Sequence, residues 1–353
     1  MRVIRRISAV LLGFVFFLAG IFKLMDPVGA QLISEEYLRF LHLNFLLGMS
    51  GLIGYGMSLL ETLLGAAMIT GVWRKVAGVI AGVLTGFFTI LTLLLYIKNP
   101  RMDCGCFGEV IHLTHLQSLV KNIILLVLWG LAFLPLRKQE ITRKVKYVSF
   151  PIAAVSVCLF LFYSSVSIPL MDFTPFAPGA ELMLPEDIDD PYDTRTPTLP
   201  ISNSEGEYVD ELLMDGNLMV ISVYDPERLS PSKWERIRTL VRDAGEFGYK
   251  PMVLAASTPA RMEALVQAPD ILDATWFADR KQLLTLNRSN GGASYIESGL
   301  IVTKWSFRGL PDREKLEELA ATDVTESILA ENNGDRVKFQ AFLLYVFAVM
   351  LLL

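Results

Sequence analysis

Five apolar runs constrain the fold of this chain more than any other feature of its sequence. They cover residues 7–25, 45–72, 76–97, 114–136 and 147–168. Each run approaches the ~20 residues that a helix needs to cross a bilayer. Because 52% of all residues are hydrophobic, we expect an α-helical bundle in the membrane and a separate soluble part. The first run follows three arginines and has no convincing cleavage site, so we expect a retained span and not a cleaved signal.

The charges of the chain are divided between two regions. Residues 1–168 together with 338–353 carry 16 Lys and Arg against 7 Asp and Glu, whereas residues 169–337 carry 16 against 30. This acidic soluble part argues against nucleic acid as a partner.

Ten of the basic residues that flank the apolar runs fall on one side of the predicted bundle. They are Arg2, Arg5, Arg6, Arg74, Lys75, Arg137, Lys138, Arg143, Lys144 and Lys146. The positive-inside rule assigns that side to the cytoplasm. We therefore expect a multi-pass protein of the bacterial inner membrane, with its soluble domain on the periplasmic side.

A pair of cysteines lies in the short connection between the third and fourth runs. Cys104 and Cys106 are separated only by Gly105, and a disulfide across so small a ring is strained and easily reduced. Lys98 and Arg101 precede the pair, and positive charge favours a thiolate. On the outer face, where disulfides persist, the two cysteines are a candidate redox pair.

Other interpretations of this connection remain open. The pair can be an inert structural bridge or two reduced thiols in a tight loop. Cys104 and Cys106 with His112 and His115 would also supply the ligand types of a zinc site. The third cysteine, Cys158, lies in the fifth run and is expected to be a small core residue.

Glu61 stands near the middle of the second run. An ionisable residue at that depth is costly and usually faces the interior of a bundle. Lys121 and Asn122, near the outer end of the fourth run, are its expected partners. Their function would be a proton relay or a polar anchor beneath the cysteines, and the structural alternative is a helix–helix hydrogen bond without chemistry. Glu61 alone is weak evidence for a transporter. The sequence also shows no inverted repeat of the kind found in transporters.

The remaining chain predicts a linker, an α/β domain and a terminal apolar segment. Residues 169–210 are rich in Pro and acidic residues, as in an extended linker. Residues 211–335 alternate strand-like and helix-like segments, which predicts a sheet with helices on its faces. The segment 338–353 is apolar but short for a full crossing, so it is either a sixth span or a partial anchor. The expected strands are 218–224, 251–256, 274–278, 294–296 and 300–305, and the expected helices are 232–246, one from about 258, and 312–321.

Three motifs of the predicted bundle resemble those of the DoxX and MauE membrane proteins over residues 1–136. They are Gly20-Ile21-Phe22-Lys23-Leu24-Met25-Asp26-Pro27, Glu61-Thr62-Leu63-Leu64-Gly65, and Cys104-Gly105-Cys106-Phe107-Gly108. The resemblance implies a four-helix, redox-associated bundle involved in maturing a disulfide-rich periplasmic enzyme subunit, and a relationship to quinone-linked thiol oxidoreductases. It implies that Cys104 and Cys106 are the redox pair and that Glu61 is the intramembrane acid. Residues 137–168 would then add a basic loop and a fifth transmembrane helix.

The α/β region is similar to the thioredoxin fold in the order of its strands and helices. It lacks the thiols of that fold, because the Cys-x-x-Cys position reads Asp225-Pro226-Glu227-Arg228-Leu229-Ser230 and the cis-proline position reads Gly291-Gly292-Ala293-Ser294. Without a thiolate this domain has no nucleophile for exchange, so it would bind or position a partner.

The leading hypothesis is therefore a membrane thiol-disulfide protein that serves a periplasmic protein client. Its electron acceptor would lie in the lipid bilayer, and a membrane quinone is one candidate. The alternative is a non-enzymatic anchor or scaffold subunit of an envelope complex, in which the cysteines are only structural.

Overall fold

A computed structural model describes residues 2–100, 102–134, 145–166, 172–184 and 196–353. The chain divides into two compact units. One consists of Met1–Val166 with Gln340–Leu353, and the other of Ser167–Phe339.

The first unit is helical, and five of its helical segments are long and apolar enough to cross a membrane. These segments are Arg2–Met25, Asn44–Thr70, Arg74–Lys98, His115–Phe133 and Lys146–Ser165. They correspond to the five predicted runs, which supports a multi-pass membrane protein. The helices of this unit are α1 (Arg2–Met25), α2 (Pro27–Phe40), α3 (Ser50–Thr70), α4 (Arg74–Lys98), α5 (His115–Phe133) and α6 (Lys146–Val166). A 3-10 segment, Asn44–Met49, precedes α3, and a short strand, β1 (Cys106–Glu109), lies between α4 and α5.

Helices α1 and α3 pack with their backbones in close contact. A Cβ atom built on Gly13 would lie 2.8 Å from the carbonyl oxygen of Gly65, and one on Gly20 would overlap the backbone of Thr62. Small residues permit this approach between membrane helices. Side chains near the end of α1 therefore come close to those of α3.

Side chains close several helix ends of the bundle. Asp26 Oδ1 accepts a hydrogen bond from the Gly29 N–H at the start of α2, and Thr114 caps α5 as predicted, in a reciprocal capping box with Gln117. Arg5 donates to the carbonyl of Leu134 at 2.7 Å, and Arg6 donates to that of Ile69 at 2.5 Å. Two arginines at the start of α1 thus satisfy carbonyls at the C-terminal ends of α5 and α3.

The second unit contains a six-stranded mixed sheet. Its strands are β2 (Ile201–Ser202), β3 (Asn217–Val223), β4 (Lys250–Ala255), β5 (Thr275–Ala278), β6 (Gly292–Glu297) and β7 (Leu300–Trp305). They lie in the order β2-β5-β4-β3-β6-β7, with β3, β4 and β5 parallel and the pairs β2–β5, β3–β6 and β6–β7 antiparallel. Its helices are α7 (Pro231–Glu246), α8 (Pro259–Leu265), α9 (Pro269–Asp273), α10 (Arg280–Leu286) and α11 (Arg313–Ala321).

Hydrophobic cores cover both faces of this sheet. Successive residues of β3 alternate between them: Met219 and Ile221 belong to one core, and Leu218 and Val220 to the other. A strand buried on both faces reads as a continuous apolar run, which is why the sequence predicted β3 within one residue at each end.

The structure differs from the predicted linker in the described parts of residues 169–210. Phe176, Leu182, Leu199 and Ile201 are buried in the core on one face of the sheet, and Ile201 begins β2, which pairs with β5. The apolar residues between the prolines anchor this segment in the core. The high content of Pro and acidic residues had indicated an extended linker instead. Residues 169–171 and 185–195 of the predicted linker, and 137–144 of the predicted basic loop, lie outside the described residues.

The C-terminal apolar segment belongs to a longer helix, α12 (Val324–Leu352). This helix is not among the candidate spans found in the described residues. Phe342 and Tyr345 pack on Phe160 of α6, with ring centroids 5.5 and 5.3 Å apart. The end of the chain therefore contacts the fifth span.

Candidate functional site

The candidate site is built on the turn that connects α4 to α5. Gly105 and Gly108 both have left-handed backbone conformations, with φ of +58° and +65°. The N–H of Gly108 donates to the carbonyl of Gly105 at 3.2 Å, and a short strand, β1 (Cys106–Glu109), begins in the turn. Glycine adopts this conformation at little cost, so the local sequence favours a tight loop that presents both cysteines.

The two cysteines are free thiols held side by side. Their Sγ atoms are 3.0 Å apart, within hydrogen-bonding distance, and no disulfide joins them. In this state one sulfur can donate its proton to the other. The pair is therefore close enough to exchange between dithiol and disulfide with a small movement.

Cys104 lies on the side of the pair that faces α2. Cys104 is 3% exposed. The Tyr37 hydroxyl donates to the Cys104 carbonyl oxygen at 2.5 Å and lies 3.8 Å from Cys104 Sγ. The hydrogen bond to Cys106, followed by burial, raises the pKa of Cys104. Burial and the neighbouring cysteines raise the pKa of Tyr37, which stays a neutral donor. Cys104 is thus the protonated member of the pair.

Cys106 has the opposite electrostatic environment. The hydrogen bond from Cys104 lowers the pKa of Cys106, and although burial opposes this shift, the positive charges of Lys121 and Lys23 lower the pKa further. The sequence had indicated Lys98 and Arg101 as the positive charges near the cysteines. Lys98 lies 5.4 Å from the ring centroid of Phe40, and Arg101 is outside the described residues.

Glu61 is buried, but its partner is not the predicted one. Lys23 Nζ donates to both carboxylate oxygens, at 3.0 and 2.8 Å, and the Glu61 side chain is 3% exposed. Among the described residues, the hydrogen bonds to Glu61 come from Lys23 and not from the expected Lys121 and Asn122, because the close contact of α1 with α3 brings Lys23 to the carboxylate. The sequence did contain a signal for this contact, because Lys23 follows Gly20 by three residues on the close-packed face of α1.

Lys121 and Asn122 make other contacts. Lys121 Nζ lies 5.0 Å from the ring centroid of Phe107, the residue after Cys106. Asn122 donates to the carbonyl of Phe88 and to Thr92 Oγ1, both at 3.1 Å, and so connects α5 to α4. Lys121 therefore belongs to the cysteine site, whereas Asn122 has a structural role.

A cavity of about 290 Å³ joins the cysteines to the intramembrane ion pair. Cys104, Cys106, Lys23, Glu61 and Lys121 all line it. The rest of its wall is mostly apolar and comes from α1 to α5, including Phe16, Ile33, Phe87, Phe88, Leu91 and Leu125. Its volume lies at the small end of the range for ligand sites, and an apolar pocket with a few convergent polar groups is typical of them.

The described residues do not support the zinc alternative. His112 Nδ1 lies 3.4 Å from Asp103, and His115 Nε2 lies 3.1 Å from the Pro100 carbonyl oxygen. Within the described part of the chain, no cluster of three or more His, Cys, Asp or Glu side chains is arranged to hold a metal ion. The two histidines therefore do not converge with the cysteines on one ion. Cys158 of α6 is exposed on the surface of the helical unit, in contrast to the predicted core position.

In the sheet domain, the loop after β3 contains no cysteine. Its Pro226–Arg228 segment is a 3-10 turn that leads into α7. Asn290 holds this loop, because its side chain accepts from the Asp225 N–H at 3.1 Å and donates to the Asp225 carbonyl at 2.7 Å. The loop is thus fixed by an amide side chain, with no thiol available for exchange.

The comparison with known families concerns the part of the chain that carries these cysteines. Residues 1–135 match the family described as methylamine utilisation protein MauE. The MauE match includes Lys23, Glu61, Cys104, Cys106 and Lys121, and it ends before the sheet domain. No curated protein and no solved structure matches the chain.

Proposed function

We propose that the helical unit catalyses thiol-disulfide exchange through Cys104 and Cys106, in the maturation of a protein client of the cell envelope. The observation that carries this proposal is the pair of sulfurs 3.0 Å apart with opposite electrostatic environments. A structural pair has no need for such asymmetry, whereas exchange chemistry uses a stabilised thiolate as its leaving group. The match of residues 1–135 to the family described as methylamine utilisation protein MauE supports an accessory role of this kind.

In the oxidised state, a client thiolate attacks Cys104 of the Cys104–Cys106 disulfide. Cys106 leaves as the thiolate, because Lys121 and Lys23 lower its pKa and thiols of low pKa leave faster. A second client thiol loses its proton and attacks the mixed disulfide. The client then holds the new disulfide, and the pair holds one thiol and one thiolate. Cys104 is buried beneath Tyr37, so the client must open that contact to reach it.

Re-oxidation of the cysteine pair to the disulfide requires a co-reactant that takes up two electrons and two protons. The Cys104 thiol supplies one proton and the surrounding water supplies the other, while the Cys106 thiolate is re-oxidised into the disulfide. A membrane quinone is the candidate class for this acceptor. The residues of the cavity fit such a molecule, because its wall is largely apolar and includes Lys23 and Lys121 as hydrogen-bond donors.

The basic residues on one side of the bundle favour a periplasmic position for the cysteines. Arg5 and Arg6 lie beside the C-terminal ends of α5 and α3, and the cysteine turn follows the C-terminal end of α4. The positive-inside rule then places the turn outside the cytoplasm. In this proposal the α/β domain is thioredoxin-like but lacks the thiols, and it recruits the client.

Alkylation trapping in intact membranes tests the proposal. In a Cys158→Ser background, the redox state of Cys104 and Cys106 should follow the supply of oxidant. A Cys106→Ser variant given the disulfide-bonded client should accumulate a mixed disulfide in the reverse direction: Cys104 attacks the client disulfide, one client sulfur leaves as a thiol, and no Cys106 remains to release the client. A Cys104→Ser variant serves as the matched control and should accumulate much less. A pair that stays in one state under all conditions contradicts the proposal. So does a Cys104→Ser/Cys106→Ser variant that still supports client oxidation, which is the result that the scaffold alternative predicts.

A further inference from the structure

The titratable groups around the cavity come from four helices and the cysteine turn. They are Lys23 of α1, Tyr37 of α2, Glu61 of α3, Lys121 of α5, and the two cysteines. Helix α4 contributes only uncharged side chains to the wall: Phe87, Phe88, Leu91 and Thr92. The local charge of the cavity is therefore set by two lysines, one glutamate and the protonation state of the cysteines.

These charges balance in only one redox state of the pair. Lys23 and Glu61 form an ion pair whose charges cancel, and Lys121 adds one positive charge. When Cys106 is a thiolate, the four groups sum to zero. When the cysteines form a disulfide, one positive charge is left without compensation in largely apolar surroundings, where an uncompensated charge is costly.

We infer that Lys23, Glu61 and Lys121 are positioning residues that set the reduction potential of the Cys104–Cys106 pair by balancing charge on Cys106 in the reduced state. Glu61 holds Lys23 through its two contacts of 2.8 and 3.0 Å, and Lys121 lies over Phe107 beside Cys106. This inference rests on the proposed exchange function, and it gives the intramembrane ion pair a role in that function. The disulfide is thereby a stronger oxidant than it would be in a neutral site.

The two kinds of charge have opposite effects on the pair. Removing a lysine removes stabilisation of the Cys106 thiolate, so the reduced state becomes less favourable and the pair becomes a weaker oxidant. Removing the charge of Glu61 leaves more net positive charge near Cys106, so the pair becomes a stronger oxidant. A purely structural role of the ion pair does not predict opposite signs, because disturbed packing has no reason to depend on the sign of the charge that was removed.

The test is a glutathione redox titration of the full chain at pH 7 in lipid nanodiscs, in a Cys158→Ser background. Lys121→Met keeps the length of the side chain and should favour the disulfide about tenfold, which is about 30 mV toward more negative potential for a two-electron couple. Glu61→Gln keeps a hydrogen-bonding group for Lys23 and should shift the equilibrium several-fold in the opposite direction. Lys121→Arg should restore the parent value.

Thr85→Ala is the neutral control, because Thr85 of α4 is not among the residues that line the cavity and its hydroxyl donates to the Ala81 carbonyl of the same helix. Its potential should stay at the parent value. In a Cys104→Ser background, Lys121→Met should also raise the pH at which Cys106 becomes alkylated, and this readout does not require the disulfide to form.

Two outcomes separate this inference from the proposed function. If the parent pair exchanges with glutathione but Lys121→Met and Glu61→Gln leave its potential unchanged, or shift it in the same direction, the charge inference is overturned and the exchange function stands. If the parent pair does not exchange at all, the proposed function fails and the inference fails with it.

Discussion

Gly105 offers the sharpest test of how the cysteine turn is held. A Cβ atom added there would lie 2.6 Å from Ile33 Cγ2, 2.8 Å from Cδ1 and 3.0 Å from Cγ1. Ordinary contact begins near 3.4 Å, so Ile33 of α2 must retreat by about 0.8 Å. Such overpacking costs about 1–3 kcal/mol. The φ of +58° adds about 1–2 kcal/mol for a residue with a side chain.

Gly105→Ala should therefore lower the free energy of unfolding of the helical unit by about 2–5 kcal/mol. Gly108→Ala is the matched control, because its φ of +65° is similar and the nearest atom to its added Cβ is Lys23 Cα at 3.6 Å. It should cost only the conformational part, about 1–2 kcal/mol. Both substitutions restrict the unfolded chain equally, so the difference between them isolates the overlap with Ile33.

The measurement is reversible unfolding in mixed micelles with increasing denaturing detergent, followed by circular dichroism. Ile33→Ala combined with Gly105→Ala should cost about 1–3 kcal/mol less than the sum of the two single substitutions, because the smaller side chain removes the overlap. Equal losses at Gly105 and Gly108, or additive losses in the double variant, would refute the proposed contact between the turn and α2.

Two further predictions concern the effect of pH and a buried ion pair. Because the pKa of Cys106 is lowered and that of Cys104 is raised, alkylation at Cys106 should slow less between pH 8 and pH 6 than the roughly 100-fold expected of an ordinary thiol. Mass spectrometry should find Cys104 unmodified, and equal labelling of the two cysteines would contradict the assignment. In the sheet domain, burial alone would raise the pKa of Asp172, but Lys304 at 2.6 Å lowers it. The pair therefore contributes stability above the unfolded pKa of Asp172, and this stability is lost as the pH falls through the folded pKa. Asp172→Asn should lower the free energy of unfolding by about 3–5 kcal/mol in chemical denaturation at pH 7. If the stability of the parent protein does not change with pH in this range, the account is contradicted.

The sequence predicted the helical unit well because membrane spans have a strong local signal. Each of the five runs is long and apolar, and their lengths are constrained by the bilayer. The cysteine pair was equally visible, since Cys104, Gly105 and Cys106 are neighbours in the chain. Features carried by adjacent residues or by continuous composition needed no knowledge of the packing.

The partner of Glu61 could not be predicted in the same way. Lys121 and Asn122 lie at a suitable depth, but depth does not say which helices are neighbours. The contact with Lys23 follows from glycines that bring α1 and α3 together, and Lys23 and Glu61 are 38 residues apart in the chain. The linker prediction was misleading for a related reason, because Phe176 and Leu182 are anchored by a sheet whose strands come later in the sequence.

The arginines at the start of α1 link the direction of insertion to the integrity of the fold. Arg5 and Arg6 supply basic charge at one end of the bundle, and their guanidinium groups also occupy the carbonyls that end α5 and α3. A carbonyl without a partner at a helix end is unfavourable where water is scarce. By the positive-inside rule, the same two side chains favour one direction of insertion for α1. They also complete two helices that follow α1 in the sequence, so the last turns of α5 and α3 depend on side chains of α1.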